Sequence, residues 1–407
     1  MNKSVIGMVV SVLVLALFMV ANPAFAKEHS KVVQELEDLY NKNPGFKEMM
    51  DKALANVVPL PGKCPKTPTP TSNVYCWPAG ERFEYLLDFF DEWSTFTPSP
   101  DNGMLYYKIF YNMCLDNNYA LAFVESGPGL GWTRKFVEAR GAYMDSEVSI
   151  KPDIMDEWKR ALGDEWNDYI IPGGGSMYRT FNEFFARELK PEKKRPVAPG
   201  DNILAASADT LVNMINSNLT AQTEIPTKYD ETLNVAELLN GSPFAEKFIG
   251  GTAISGILLP TVYHHFHSPV EGEVVESNGN VNGIFFGMGG KFPTFVNNGN
   301  IGGYKSTFGI FGIYQRGYFI IKTKDHGYVG MVAVGLDDIS SVNFENKYDN
   351  ISSKDKSVPV KKGTKLGHFK YGGSLNILLF EKGVFSGLNV LQGQGIGPLK
   401  PTMNAVR

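Results

Sequence analysis

Tyr371-Gly372-Gly373-Ser374-Leu375-Asn376-Ile377-Leu378-Leu379-Phe380 decides how the second half of the chain is read. A Gly-Gly-Ser turn leads into a short apolar run, which is the pattern of a strand entered through a turn. The same rhythm recurs at residues 254–259, 318–321 and 328–334, with Gly, Asn and Asp turns between the runs. It predicts a mainly antiparallel β region after Ser176, with one helix over residues 181–189 and a short one over 235–239. The Asn- and Gly-rich stretches 277–283 and 297–303 read as exposed connections.

Upstream, the period changes. Val32, Val33, Leu36, Leu39 and Tyr40 recur at helical spacing, as do Phe83, Leu86, Leu87 and Phe90. Residues 58–78, rich in Pro, Thr and Ser, read as a loop, and Ile170-Ile171-Pro172-Gly173-Gly174-Gly175 as a connector. The triple glycine is not read as a phosphate cradle, because no Gly-Lys-Ser/Thr follows it. The expected fold class is α+β: a helical region over residues 27–175, followed by a β-rich region over 176–407. No repeat of solenoid period is present.

The first residues bear on location. Lys3 precedes the apolar run 5–20, and Ala24-Phe25-Ala26 supplies the small-x-small pattern of a cleavage site. Residues 1–26 therefore read as a signal peptide, with an uncleaved anchor as the second choice. The mature chain is expected in a periplasmic or secreted setting. Losing Lys3 moves the formal net charge from −4 to −5. A mildly acidic chain has no electrostatic footprint for nucleic acid and no polybasic segment for anionic lipid. With 43% hydrophobic and 12% aromatic residues, it has ample material for a packed core. Cys64 and Cys76, in the Pro-rich stretch, suit a small disulfide loop in an oxidising compartment, leaving Cys114 as a buried apolar residue.

Chemistry concentrates in two places. Six histidines occur in the chain, and three of them fall in Tyr263-His264-His265-Phe266-His267-Ser268-Pro269. Such a cluster suggests metal ligation or proton transfer near neutral pH. On a strand, His265 and His267 share a face. They keep open a metal-dependent hydrolase, although the third ligand would have to come from the distant Asp209, His326 or His368. The second place is Gly372-Gly373-Ser374, where Asn376 removes the Gly-x-Ser-x-Gly nucleophile motif.

Taken in order, the blocks from Ser176 to about Gly383 resemble the phosphatidylserine decarboxylase family. The residues that carry the resemblance are Phe181-Asn182-Glu183-Phe184-Phe185-Ala186-Arg187-Glu188-Leu189-Lys190-Pro191, Ala206-Ser207-Ala208-Asp209, and Ala236-Glu237-Leu238-Leu239 with Gly250-Gly251. Tyr263-His264-His265-Phe266-His267-Ser268-Pro269-Val270-Glu271-Gly272 and Gly367-His368-Phe369-Lys370-Tyr371-Gly372-Gly373-Ser374 complete it. The resemblance implies a catalytic domain over 176–407 that cuts itself between Gly373 and Ser374. Ser374 would become a covalent pyruvoyl cofactor, His267 and Asp209 would complete a Ser-His-Asp arrangement, and His264 would serve decarboxylation. No metal is implied. Three positions depart from the family pattern: Leu375 stands for Thr or Ser, Thr210 for Gly, and His265 for Arg.

A pyruvoyl group suits this chemistry because decarboxylating an amino acid leaves a carbanion that needs a carbonyl sink conjugated with the nitrogen. The resemblance implies phosphatidylserine, giving phosphatidylethanolamine, or a small free amino acid as substrate. A homodimer is the family expectation, and a peripheral membrane contact belongs with the lipid substrate. A non-catalytic binding protein on the same scaffold is the third reading, motivated by Leu375 and Thr210.

Overall fold

The computed structural model describes residues 28–57, 64–114, 117–217, 219, 235–286, 314–336 and 342–397. The expected signal peptide and the stretch 297–303 lie outside them.

The N-terminal region is helical. It contains α1 (Lys31–Lys42), α2 (Pro44–Ala55), α3 (Arg82–Ser94), α4 (Leu105–Cys114), α5 (Asn118–Glu125), α6 (Gly127–Met144) and α7 (Pro152–Leu162). The spaced apolar residues of α1, Val32, Val33 and Leu36, are its buried face. Helix α2 begins with Pro44, and the Asn43 side chain accepts from the Phe46 amide at 3.0 Å, occupying one of the donors a helix start leaves free. Phe89, Phe90 and Trp93 of α3 are buried among rings from α4 and α6. Phe90 meets Trp132 edge-on at 4.7 Å, and Trp93 meets Phe136 edge-on at 5.3 Å. Each such pair adds about 0.5–1.5 kcal/mol to the burial of its rings. Cys64 and Cys76 are joined as a disulfide, with Cα atoms 5.2 Å apart, and Cys114 is buried with a free thiol.

Two antiparallel sheets follow. The seven-stranded sheet has the order β1 (Leu211–Asn216), β2 (Thr252–Leu258), β10 (Gly373–Phe380), β6 (Tyr328–Leu336), β5 (Arg316–Lys322), β4 (Gly272–Val281) and β8 (Val358–Val360). The smaller sheet has the order β3 (His265–His267), β9 (Lys365–Phe369) and β7 (Val342–Phe344). Strand β10 is an inner strand, paired with β2 on one side and β6 on the other. Its Leu375, Ile377 and Leu379 enter one core, while Leu378 and Phe380 enter another with Phe266 and Phe369 of the small sheet. Burial on both faces is why the run is apolar throughout rather than alternating.

Two expectations change. Residues 277–283 are not an exposed connection: β4 continues to Val281, and Ser277 is buried with its hydroxyl donating to the Tyr348 carbonyl at 2.6 Å. Glycine is needed there for closeness, since a Cβ on Gly279 would stand 2.5 Å from the Asp349 carboxylate. The helix expected over 181–189 is shorter, α8 (Phe181–Phe185). Beyond it Arg187 turns inward to donate to the Val262 carbonyl at 2.9 Å, and Leu189 bridges to Tyr169. The expected short helix is present as α9 (Val235–Leu238).

Packing crosses residues 175 and 176. Met144, Met155, Trp158 and Leu162 share a core with Tyr178, Phe181, Phe184 and Phe185. Phe285 and Phe286, beyond β4, are buried in the helical core. Among the described residues no helix is long and apolar enough to cross a membrane.

Candidate active site

Ser374 stands at the head of β10, opposite Leu258 of β2 and Gly335 of β6, and is 1% exposed. Its hydroxyl donates to the Gly372 carbonyl at a long 3.5 Å. Gly372 has φ +142°, a conformation that a side chain would resist, so this corner into the strand requires glycine. Asn376, next on the same face, accepts from the Ser207 hydroxyl at 2.8 Å. The Ser207 carbonyl accepts in turn from the His267 amide at 2.7 Å. Ser207 thus links the strand of Ser374 to the strand of His267.

His267 is held at both nitrogens. Nδ1 lies 2.9 Å from the Gly363 carbonyl, and Nε2 lies 3.3 Å from the Tyr263 hydroxyl. A carbonyl only accepts, so Nδ1 carries the proton, while Nε2 keeps its lone pair and accepts from Tyr263. Burial lowers the His267 pKa below the ordinary 6.5, against the opposing pull of the bond to Gly363. The imidazole is therefore neutral at pH 7, as a proton acceptor must be.

Asp209 lies with His267 and Tyr263 on a cleft of about 500 Å³, whose wall also includes Glu188, Arg195 and Lys365. Its carboxylate accepts from Arg195 at 2.9 Å. The sequence reading grouped Asp209 with His267 in a Ser-His-Asp arrangement; the hydrogen bond at Nδ1 of His267 is to the Gly363 carbonyl. Asp209 and His267 share this cleft, whereas Ser374 is not among its lining residues and connects to it through Asn376, two residues along the strand, and Ser207.

His264 is 1% exposed and stacks on Phe185 at 3.8 Å between ring centres. Phe185 in turn meets Tyr371 edge-on at 5.3 Å, which connects His264 to the loop ahead of Ser374. Burial drives its pKa far down, helped by the positive charge of Arg187. The Val262 carbonyl favours the charged form, yet Nδ1 has no hydrogen bond of normal geometry. His265 serves packing: it stacks on Tyr263 at 4.5 Å, lies 2.9 Å from the Ala186 carbonyl through Nε2, and has its pKa lowered to about 3 by burial.

Comparison with known proteins decides the family. The family model described as phosphatidylserine decarboxylase matches residues 181–401. The phosphatidylserine decarboxylase proenzyme 3 of Schizosaccharomyces pombe is 32% identical over 258 residues, covering 62% of this chain and 24% of that one. The phosphatidylserine decarboxylase proenzyme of Fusobacterium nucleatum is 28% identical over 278 residues, 68% of this chain and 80% of that one. That of Brevibacillus brevis is 30% identical over 247 residues, 57% of this chain and 83% of that one. The chain belongs to the phosphatidylserine decarboxylase family. It is a family of carboxy-lyases. The helical residues before 181 lie ahead of the matched stretch.

The positions at which this member departs from the family pattern each have a physical setting. Leu375 is fully buried in the core beside Ile377 and Leu379. Thr210 sits against Gly256, where a Cβ would come within 2.6 Å of the Thr210 hydroxyl, so the extra side chain at 210 is matched by a missing one at 256. His265 occupies its packing niche under Tyr263.

The family's pyruvoyl group would be built from Ser374 itself, and the surroundings fit it. Asn376 Nδ2 and His264 Nδ1 are buried polar atoms without a hydrogen-bond partner among the described residues. Buried polar atoms left this way cost stability, so they are the ones a bound polar group would satisfy. Sequence reasoning missed Ser207, Asn376, Tyr263, Gly363 and Arg195 as parts of the site. Only Asn376 carried a signal, as an amide inside an apolar strand.

Proposed function

We propose that this chain is a decarboxylase that cuts itself between Gly373 and Ser374 and carries a pyruvoyl group at residue 374. The observation that supports it most is the buried Ser374 at the head of an inner strand, behind a corner that Gly372 alone can turn. In self-cleavage the Ser374 hydroxyl adds to the Gly373 carbonyl carbon and its proton passes to the freed backbone nitrogen by way of a base, the role the family resemblance gives to His267. The peptide bond breaks and an ester joins the two residues. Removal of the Ser374 α-proton then expels Gly373 as a carboxylate, and water releases ammonia from the dehydrated residue to leave a ketone.

That ketone would supply the electron sink that decarboxylation of an amino acid requires. His264, kept neutral by burial, is the group proposed to hold or return a proton in that step, and Asn376 Nδ2, two residues along the strand, can donate to an oxygen there. Tyr263 helps to orient the His267 ring through its bond at Nε2. The burial of β10 between β2 and β6 keeps residues 374–407 with residues 27–373 after the cut.

The relatives' names make phosphatidylserine the first substrate to test, with free amino acids as the alternative. Export with removal of residues 1–26 agrees with the disulfide between Cys64 and Cys76. A homodimer and a peripheral membrane contact belong to the same proposal. The hydrolase and binding-protein readings gain nothing. His265 and His267 each have a ring nitrogen beside a backbone carbonyl, and among the described residues no three His, Cys, Asp or Glu side chains form a metal cluster.

A denaturing gel and intact mass of purified protein test the reading. Two fragments, the shorter beginning at residue 374 with a ketone-bearing end, are expected, and Ser374→Ala should abolish both cleavage and carbon dioxide release. A single intact polypeptide in folded wild-type protein overturns it. Carbon dioxide release from phosphatidylserine and from a panel of free amino acids then chooses the substrate.

A further inference from the structure

The loop that delivers the scissile bond is tied to the helical region by the Asp145 side chain and the Gly103 carbonyl, which lie ahead of the stretch the family model matches. Lys370 donates to Asp145 Oδ2 at 2.7 Å, and Asn182 donates to Asp145 Oδ1 at 3.1 Å. Asn182 Oδ1 accepts from the Tyr371 amide at 2.9 Å, which closes a ring of contacts around residues 370 and 371. The Tyr371 hydroxyl donates to the Gly103 carbonyl at 3.2 Å, and its ring lies edge-on to Phe181 at 5.4 Å. Asp145 caps the C-terminal end of α6, and Gly103 precedes α4. Both belong to the helical region, whose part in the chemistry nothing above explains.

We propose that Asp145 and Gly103 are positioning residues for self-cleavage: the helical region clamps residues 370 and 371 so that Gly373 and Ser374 meet in reacting geometry. This rests on the self-cleavage proposed above. The physical reason is the corner at Gly372. A glycine at φ +142° is free to move, so the angle at which Gly373 enters β10 is fixed only if the residue before it is fixed. The strand pairs Gly373 onward with Leu336, and the small sheet ends at Phe369, opposite Val342, so residues 370 and 371 lie between the two sheets. A shift of about 1 Å in reacting atoms costs on the order of 100-fold in rate. The Lys370–Asp145 pair is half-exposed, with side chains 30% and 45% accessible, so it adds little to global stability. Its value lies in where it holds the loop.

The test is the rate of cleavage of the full chain after pulse labelling in cell-free translation, followed on denaturing gels. Asp145→Ala and Lys370→Ala should each slow cleavage about ten-fold or more. Asp145→Asn keeps an oxygen toward Asn182 and should fall between Asp145→Ala and wild type. Tyr371→Phe, which loses only the bond to Gly103, should slow cleavage less than Asp145→Ala. Placed on Ser374→Ala, Lys370→Ala and Tyr371→Phe should leave thermal melting unchanged, while Asp145→Ala, which leaves the buried Asn182 amide without its acceptor, should lower it only slightly. Wild-type cleavage rates in Asp145→Ala and Tyr371→Phe overturn the proposal. Equal slowing by Asp145→Asn and Asp145→Ala with a matching drop in melting also overturns it, because the role would then be structural. If wild type stays whole, or Ser374→Ala is still cut, the self-cleavage reading itself fails.

Discussion

The helical region and the sheets differ in what fills them, although both bury polar side chains. Phe89, Phe90, Trp93, Phe110, Trp132 and Phe136 fill the helical core with rings, and its buried Arg82 spends its donors on the Leu54 and Val57 carbonyls. The sheets bury polar groups among their apolar ones: Ser374, Asn376, Ser207, His264 and His265. Packed rings need no partner, whereas a buried polar atom without one costs about 1–3 kcal/mol. The described structure leaves such atoms in both halves, at His29 Nδ1 and Ser30 Oγ in the helical one and at His264 Nδ1 and Asn376 Nδ2 in the other; the latter two belong to the residues around the proposed chemistry.

Substitutions can break that contrast. The largest effect should follow His267→Ala, which removes the proton acceptor and should slow cleavage about 10²–10⁴-fold in the gel assay. Cleavage at the wild-type rate would move the base elsewhere. Next, Phe286→Ala should lower the unfolding free energy by about 3–5 kcal/mol in denaturant melts of the uncleavable chain. Phe286 is a residue of the sheet half buried in the helical core, against Trp93 at 5.4 Å and Phe110 at 5.5 Å. A loss below about 1 kcal/mol would mean that the two halves do not share that core.

Acid should separate the halves further. His264, His265, His267 and His368 all have pKa values lowered by burial from the ordinary 6.5. Below pH 6.5 the unfolded chain takes up these protons first. Stability is therefore full above that pH and declines as pH falls toward the folded values, by up to about 1.4 kcal/mol per pH unit for each histidine. Melts from pH 7.5 to 5 should show this loss, and His265→Gln should flatten it. A flat profile would show that these rings are charged or accessible.

The smallest effect is expected at Arg195→Ala. The pair with Asp209 has side chains 46% and 28% accessible, so its loss should cost about 1 kcal/mol or less in the same melts. It should not slow cleavage, because Nδ1 of His267 is held by Gly363. Slower cleavage would show that Asp209 helps to orient His267.

Much of the fold was legible. The apolar spacing of Val32, Val33 and Leu36 gave a helix, and Ile377 to Phe380 gave a buried strand, because periodicity records which faces are covered. Composition misled at residues 277–283, where Asn and Gly mark a strand crowded by Asp349 and Tyr314 rather than a turn. It also misled beyond Phe185, where a helical pattern gives way because the Val262 carbonyl needs Arg187.

By itself, the sequence determined which residues could react: a serine behind two glycines and a histidine cluster, together with the family they resemble. Only the tertiary structure decided who holds whom. Gly363 rather than Asp209 sits at Nδ1 of His267, Ser207 joins the serine's strand to the histidine's, and Asp145 reaches a loop 225 residues further along the chain. Hydrogen bonds are set by a few tenths of an ångström between segments distant in sequence, and a backbone carbonyl as partner leaves no mark in the residue types.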